Sequence, residues 1–257
     1  MTYKEEFLQS CLILDTETTG TDTSTVEIIE SGFVIRDNGE WSMFQELHKP
    51  IKTPIPPLVE SITYITNEMV EDRPSFLDSK DTFQSVVDGF KDGYAVGHNY
   101  IYDMRVLQNN GITLPEKSIC SWRMAKKIFN NMPEIEGTSL PYLRFALDLE
   151  VPLELRDHRA GHDSYTTAKL VEVLLEIMES TELIDINKPY GPQIEEWLAT
   201  PIIQDKMSFG KHKGELMTDI PKSYWIWAAK NMDSLNEDSD NFDSDFAASV
   251  HKALGID

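Results

Sequence analysis

The side chains most able to do chemistry lie in three short clusters. The first is Asp15-Thr16-Glu17-Thr18-Thr19-Gly20. It follows the apolar run Cys11–Leu14, so Asp15 and Glu17 stand at i and i+2 where a core strand ends. Residues two apart on a strand point the same way. Two carboxylates held side by side repel unless protons or cations neutralise them. A hard divalent cation such as Mg²⁺, bound through carboxylates and water, suits such a pair. The second cluster is Gly97-His98-Asn99-Tyr100-Ile101-Tyr102-Asp103, and the third is His158-Arg159-Ala160-Gly161-His162-Asp163. Each puts an acid near the start of a helix, and the third adds a histidine ahead of that acid. Taken singly, each has an ordinary structural explanation. A strand edge often ends in acids, an acid in a first turn complements the helix dipole, and Asp is a common N-cap.

The elements that must position these residues can be read from the hydrophobic pattern. Cys11–Asp15 is predicted as a central strand. Val26–Ile35 and Trp41–His48, separated by Asp37-Asn38-Gly39, read as two further antiparallel strands joined by a tight turn. Pro50–Pro57 reads as a loop. Ser75–Phe90 has helical spacing, Tyr94–Gly97 is a short buried strand, and Tyr100–Asn109 is a helix ended by Asn110-Gly111. Ser118–Phe129 and Ser139–Leu149 are predicted helices, the second with Ser139 as N-cap and Pro141 in its first turn. The longest helical pattern runs from Asp163 to Met178, with Ala168, Val171, Leu174, Leu175 and Met178 on one side. Strands first, then strands alternating with helices, imply an α/β fold with a mixed sheet.

Taken together and in this order, the three clusters resemble the three exonuclease motifs of the DnaQ-like, or DEDDh, 3′→5′ exonuclease family. The resemblance spans roughly residues 10–180, and the spacing of His158 and Asp163 is that of the histidine subclass. It implies a ribonuclease-H-like mixed sheet flanked by helices. It also implies two-metal hydrolysis of nucleic acid from a free 3′ end to nucleoside 5′-monophosphates. Asp15, Glu17, Asp103 and Asp163 would hold two Mg²⁺ ions, for which Mn²⁺ would substitute. Asp15 would bridge both ions, Glu17 and Asp163 would complete one, and Asp103 would help hold the other through water. His158 would be the general base, with His162 as a rival whose spacing does not match. The backbone around Thr16, Thr18 and Thr19 would line the terminal nucleotide, and Asn99 would be a further substrate contact. Two departures are local. Thr63 stands where the family often has histidine, and Gly161-His162 replaces an apolar pair, which would loosen the start of the last helix by lowering helix propensity.

Further along, residues 183–200 read as a connector and 201–257 as a small module, leaving 1–182 as the exonuclease domain. Phe209-Gly210-Lys211-His212-Lys213-Gly214, with Asp219-Ile220-Pro221 and Tyr224-Trp225-Ile226-Trp227, resembles the small module appended to bacterial exonuclease X and its phage relatives. From the residues alone it is a Gly-punctuated basic hairpin beside an aromatic helix, with Trp225 or Trp227 expected in the module's own core. Lys211 and Lys213 with Phe209 are candidates for touching phosphate and a base. The acidic run from Asp233 to Asp245 reads as a solvated loop or frayed helix.

Composition sets the outer bounds. The chain has 257 residues, 40% hydrophobic and 26% charged, with a net charge of −21. Such acidity argues against tight, non-specific duplex binding, but a metal-centred site needs acids at its heart, and whole-chain charge does not report the local field. No apolar run approaches the ~20 residues that span a bilayer, and the N-terminus lacks a secretory pattern. Cys11 and Cys120 are expected as free thiols in a reducing cytoplasm. The expected partner is nucleic acid with a free 3′ end, DNA rather than RNA, in repair, recombination or end trimming. The alternatives are a polymerase-linked proofreader, an RNA-trimming exoribonuclease, and a catalytically silent nucleic-acid-binding protein.

Overall fold

A computed structural model describes every residue except Asn131, Pro133, Asp240 and Asp257. The chain divides into two compact units, Met1–Ala125 with Ile135–Glu195, and Lys126–Glu134 with Glu196–Asp257. In chain order the first holds α1 (Tyr3–Gln9), β1 (Cys11–Thr18), β2 (Ile28–Asp37), β3 (Glu40–Leu47), α2 (Pro57–Thr63), α3 (Asn67–Val70), α4 (Phe76–Asp88), β4 (Tyr94–Gly97), α5 (Ile101–Asn109) and β5 (Lys117–Cys120). There follow α6 (Ser121–Phe129), α7 (Leu140–Ala146), α8 (Ala160–Ser180) and α9 (Tyr190–Ala199). The unit boundaries fall inside α6 and α9.

The five strands form one mixed sheet in the order β3-β2-β1-β4-β5. β1 to β3 are antiparallel neighbours, and β4 and β5 add parallel strands. The β2–β3 turn uses Asn38 at φ 51 and Gly39 at φ 86. Two positive-φ residues are what a tight hairpin turn with matching twist requires. β1 is central and Cys11–Leu14 are all buried, which explains its unbroken apolar run. Leu12 and Leu14 pack with Phe76, Phe83 and Val87 of α4 and with Val106 and Leu107 of α5. The long helix α8 covers β1 and β2. With a period of two along β1, Asp15 and Glu17 lie on the opposite side from Leu14, whereas Thr16 shares Leu14's side.

The start of α8 comes very close to the sheet, and glycines make that approach fit. Asp15 of β1, Gly32 of β2 and Gln45 of β3 are register partners in one row across the sheet. A Cβ on Gly32 would run into the backbone of Ala160 and Gly161. A Cβ on Gly161 would meet Gln45 Oε1 at 2.5 Å. Gly161 therefore does not loosen α8, as its helix propensity suggests. The helix begins three residues before the predicted start, and the small residue is where the helix backbone meets the sheet. Gly32→Ala is expected to destabilise the chain by about 1–3 kcal/mol through overpacking, read as a lower urea midpoint, and to cut activity by displacing Asp163.

Other sequence expectations need correction. Ser118–Phe129 is not one helix, because Lys117–Cys120 pairs with β4 as β5 before α6 starts. Pairing with a buried neighbour overrides local periodicity there. The helices α1, α2 and α3 were absent from the hydrophobic pattern; α2 begins at Pro57, where a missing N–H costs nothing. The predicted connector holds α9. Cys11 and Cys120 are both free, the first buried and the second half-buried. Among the described residues no helix is long and apolar enough to cross a membrane.

The second unit contains an antiparallel bridge between Lys206 and Leu216 around a short 3₁₀ turn, Gly210–His212. Then come α10 (Lys222–Asn231), a 3₁₀ turn at Asp233–Leu235, and α11 (Ser244–Leu254). Its own core joins Met207, Met217, Ile220, Tyr224, Trp225, Ala228, Phe246 and Val250. Of the two tryptophans expected there, Trp225 is buried and Trp227 is half exposed. The acidic run is not wholly solvated. Asp243 caps α11 by accepting from Phe246 N, and Asp245 is buried, accepting from Ile202 N at 2.9 Å. Asp240 of that run lies outside the described residues.

Candidate active site

The acids of the three sequence clusters meet at the end of β1. Glu17, His158 and Asp163 present ligand atoms that all lie within 4.8 Å of one another. Asp15, Asn99, Trp122, His158 and Asp163 line a hollow of about 400 Å³. Asp103, in the first turn of α5, is buried, and its Oδ1 accepts from Thr16 N at 2.9 Å and Thr16 Oγ1 at 2.7 Å. The side of β1 opposite Asp15 and Glu17 thus anchors the fourth acid.

The electrostatics of this cluster are unusual. Burial, then repulsion from Asp103, Asp163, Glu17 and Glu30, holds the Asp15 carboxyl well above the usual range. Burial, with Asp163 and Glu30 adding to it, pushes Glu17 up to about 8. Burial pushes Asp163 up to about 7, against the opposing hydrogen bond from His158 N. It raises Asp103 to about 6, opposed by the bonds from Thr16. Acids raised this far are stabilised by any cation that enters. Oxygen donors in this number, with an imidazole beside them, fit a hard divalent metal. The described residues therefore hold a group able to ligate one.

His158 is exposed and takes a positive φ of 59°, costly for a non-glycine residue. Its backbone N–H donates to Asp163 Oδ2 at 3.0 Å, closing the loop onto the acid it precedes. It lies between the hollow beside Asp15 and a second one of about 620 Å³, lined by Tyr64, Arg144, Phe145 and Arg156. His162 is placed differently. Its Nδ1 contacts Arg156 N at 3.0 Å and Arg156 O at 3.1 Å, and burial lowers its pKa.

Several predicted substrate contacts also build the frame. Thr16 holds Asp103. Thr18 Oγ1 lies 2.6 Å from Tyr102 OH and bonds Gly20 O. Thr19 Oγ1 accepts from Glu27 N at 3.0 Å. Asn99 is exposed at φ 64, a conformation asparagine tolerates. His98 is half-buried in the frame, with Nδ1 3.0 Å from Ser121 Oγ and Nε2 donating to Thr138 O at 2.8 Å; desolvation of the ring lowers its pKa to about 4. Thr63 is buried too, donating to Val59 O and accepting from Ile65 N.

Sequence reasoning missed one pair. Glu30, opposite Glu17 in the β1–β2 register, is fully buried. Arg159 Nε lies 3.0 Å from its Oε2, Arg159 Nη2 bonds Oε1, and Ala160 N donates to Oε2 at 2.8 Å. The pair ties the loop carrying His158 and the first turn of α8 to the sheet. The available signal was an acid inside the apolar run of β2, since a buried charge needs a partner. Arg159→Ala leaves Glu30 buried and unpaired, so a loss of about 3–5 kcal/mol is expected by urea denaturation. Replacing both residues by apolar ones is expected to recover part of it.

Comparison with known proteins gives this site a context. Residues 12–171 match the family model described as Exonuclease, RNase_T. Residues 195–232 match a second model, described as a proposed quorum-sensing-regulated virulence factor. Exodeoxyribonuclease 10 of Escherichia coli K12 is 28% identical over 231 residues, covering 87% of this chain and 92% of the relative. The 3′-5′ exonuclease DinG of Staphylococcus aureus USA300 is 28% identical over 69% of this chain and 19% of its own length. Among solved structures, exonuclease X in complex with 5′ overhanging duplex DNA superposes with a TM-score of 0.54 at 25% identity, covering 74% of this chain and 99% of that one. Escherichia coli exonuclease I bound to a dT13 oligonucleotide gives 0.58 at 16% identity over 67% of this chain and 42% of that one, a likeness of fold. With a family match over more than half its length and a ribonuclease-H-like sheet bearing the acids, this chain belongs to the exonuclease (RNase_T) family.

Proposed function

We propose that this chain is a Mg²⁺-dependent 3′→5′ exodeoxyribonuclease that releases nucleoside 5′-monophosphates. One observation carries the reading: Glu17 of β1 converges within 4.8 Å on His158 and Asp163, which lie more than 130 residues further along the chain, beside Asp15. DNA as substrate is supported by the relatives named exodeoxyribonuclease 10 and exonuclease X.

Asp15, Glu17, Asp103 and Asp163 would hold two Mg²⁺ ions, with Mn²⁺ able to replace them. When bound, such ions activate water and stabilise the leaving 3′-oxygen. The chain's own residues do the rest. His158, exposed where the two hollows meet, takes the proton from the attacking water at its imidazole. The Glu30–Arg159 pair and the bond from His158 N to Asp163 fix that ring's loop. Asn99 and the backbone from Thr16 to Thr19 line the last nucleotide. Residues 1–182 would act as the exonuclease domain and 201–257 as an accessory module, working in a reducing cytoplasm that suits two free thiols.

The test is product analysis. Matched DNA and RNA oligonucleotides are digested with Mg²⁺ and the products resolved by chromatography. Deoxynucleoside 5′-monophosphates, formed faster from DNA than ribonucleotides from RNA, are expected. Nucleoside 3′-monophosphates, or faster hydrolysis of RNA, would overturn the reading.

A further inference from the structure

The second unit has a hollow of its own, of about 640 Å³, lined by Lys211, His212, Tyr224, Trp227 and Met232 among others. One wall is α10. Tyr224 and Trp227 are three residues apart and share a helix face, with ring centroids 5.6 Å apart. Tyr224 and Trp225 are built into the unit's core, but Trp227 keeps 51% of its surface exposed. The other wall is the loop. Gly210 takes φ 68, and beyond it the Lys211 ammonium lies 5.0 Å from the Tyr224 ring centre. His212 packs edge-on against the same ring at 4.5 Å. Its Nδ1 is 3.0 Å from Glu215 Oε2, and its Nε2 is buried with no hydrogen-bond partner among the described residues.

Charge narrows the ligand. The chain carries a net −21, yet between Asp205 and Glu215 stand Lys206, Lys211, His212 and Lys213; Glu215 faces His212, while Lys211 lines the hollow and Lys213 is exposed two residues on. A cationic rim beside an open indole, on an otherwise acidic chain, selects a ligand that joins negative charge to a flat π surface. A base on a phosphate backbone offers both. An apolar peptide would use only the rings, and inorganic phosphate only the lysines.

We propose that this hollow is a second nucleic-acid site, binding a single-stranded stretch with one base on Trp227 and the flanking phosphates on Lys211 and Lys213. The inference rests on the reading of the substrate as nucleic acid. A second grip on the same chain raises the local concentration of polymer ends for hydrolysis.

The experiment is fluorescence anisotropy of the full chain with a labelled oligothymidylate of roughly 20 nucleotides, longer than one such site, in EDTA to prevent cleavage. Trp227→Ala, and separately Lys211→Ala with Lys213→Ala, are each expected to weaken binding about fivefold or more. Trp227→Phe should restore most of the affinity. The lysine variant should lower the slope of log affinity against log salt by about 0.7 for each phosphate it no longer neutralises. Both lysines are exposed, so that variant keeps the test open if Trp227→Ala unfolds the module. Hydrolysis of a thymidine dinucleotide, too short to reach a second site, should keep its wild-type rate in every variant. Wild-type affinity in the lysine variant and in a folded Trp227→Ala overturns the inference, as does a wild type that does not bind the oligothymidylate. A wild type that binds it but cleaves neither polymer nor dinucleotide with Mg²⁺ overturns the proposed hydrolysis instead.

Discussion

Asp15→Asn is expected to lower the turnover of a DNA oligonucleotide by about 10²–10³-fold or more, the cost of removing one group that stabilises charge in the transition state. The same change is expected to stabilise the metal-free chain. Asp15 shares its surroundings with three other acids; burial raises all four, and repulsion from neighbouring carboxylates adds to it at Asp15, Glu17 and Asp163. The sign follows from linkage. An acid whose folded pKa is raised contributes stability that is fully present below its unfolded pKa, near ~4, and is lost as pH rises from there through the folded value. With Asp103 at about 6, Asp163 at about 7 and Glu17 at about 8, the melting temperature in EDTA should fall from roughly pH 4, where the unfolded acids ionise, to about pH 8. Asp15→Asn should flatten the fall, and Mg²⁺ should reverse it in the wild type by binding the folded state. A melting temperature that rises through this window in EDTA, with no response to Mg²⁺, would contradict this picture of the cluster.

His158→Ala is expected to lower kcat by about 10²–10⁴-fold, the range for a lost general base, with a much smaller effect on KM. His158 is exposed at the hollow, held by a strained backbone and by its own N–H bond to Asp163. His162, one residue before the same acid, is turned to the backbone of Arg156, so His162→Ala should keep most of the activity. His158 also lies within ligand distance of Glu17 and Asp163. The Mg²⁺-induced rise in melting temperature separates the two roles, since a base can be removed with that rise intact. Full activity in His158→Ala, with loss in His162→Ala, would reverse the assignment.

How much of this was legible beforehand depended on whether the signal was local. Asp15 and Glu17 were readable because strand alternation alone puts them on one face, and Asp103 and Asp163 because each opens a helix after a recognisable junction. The mixed sheet was readable from strong apolar runs and the Asn38-Gly39 turn. What stayed hidden depends on pairs far apart in sequence. β5 is a strand only because β4 lies beside it. Gly161 looked like a defect in a helix, and its purpose appears only when Gly32 and Gln45 are seen against it. Glu30 and Arg159 are 129 residues apart, and neither names the other. The threonines show the same. The backbone around Thr16 and Thr18 is what the motif offers a substrate, and nothing local announces that their hydroxyls hold Asp103 and Tyr102 in place. Trp225 and Trp227 could not be told apart by type, and only the facing of α10 makes one core and the other surface.

The most direct test uses a DNA oligonucleotide labelled at its 5′ end, incubated with the full chain and Mg²⁺ and followed over time on a denaturing gel. A ladder that keeps its label while shortening one nucleotide at a time from the 3′ end, absent in Asp15→Asn and strongly slowed in His158→Ala, is the expected result. No cleavage with Mg²⁺ or Mn²⁺ while the oligonucleotide is bound, or release of the labelled 5′ nucleotide as the first product, would contradict it.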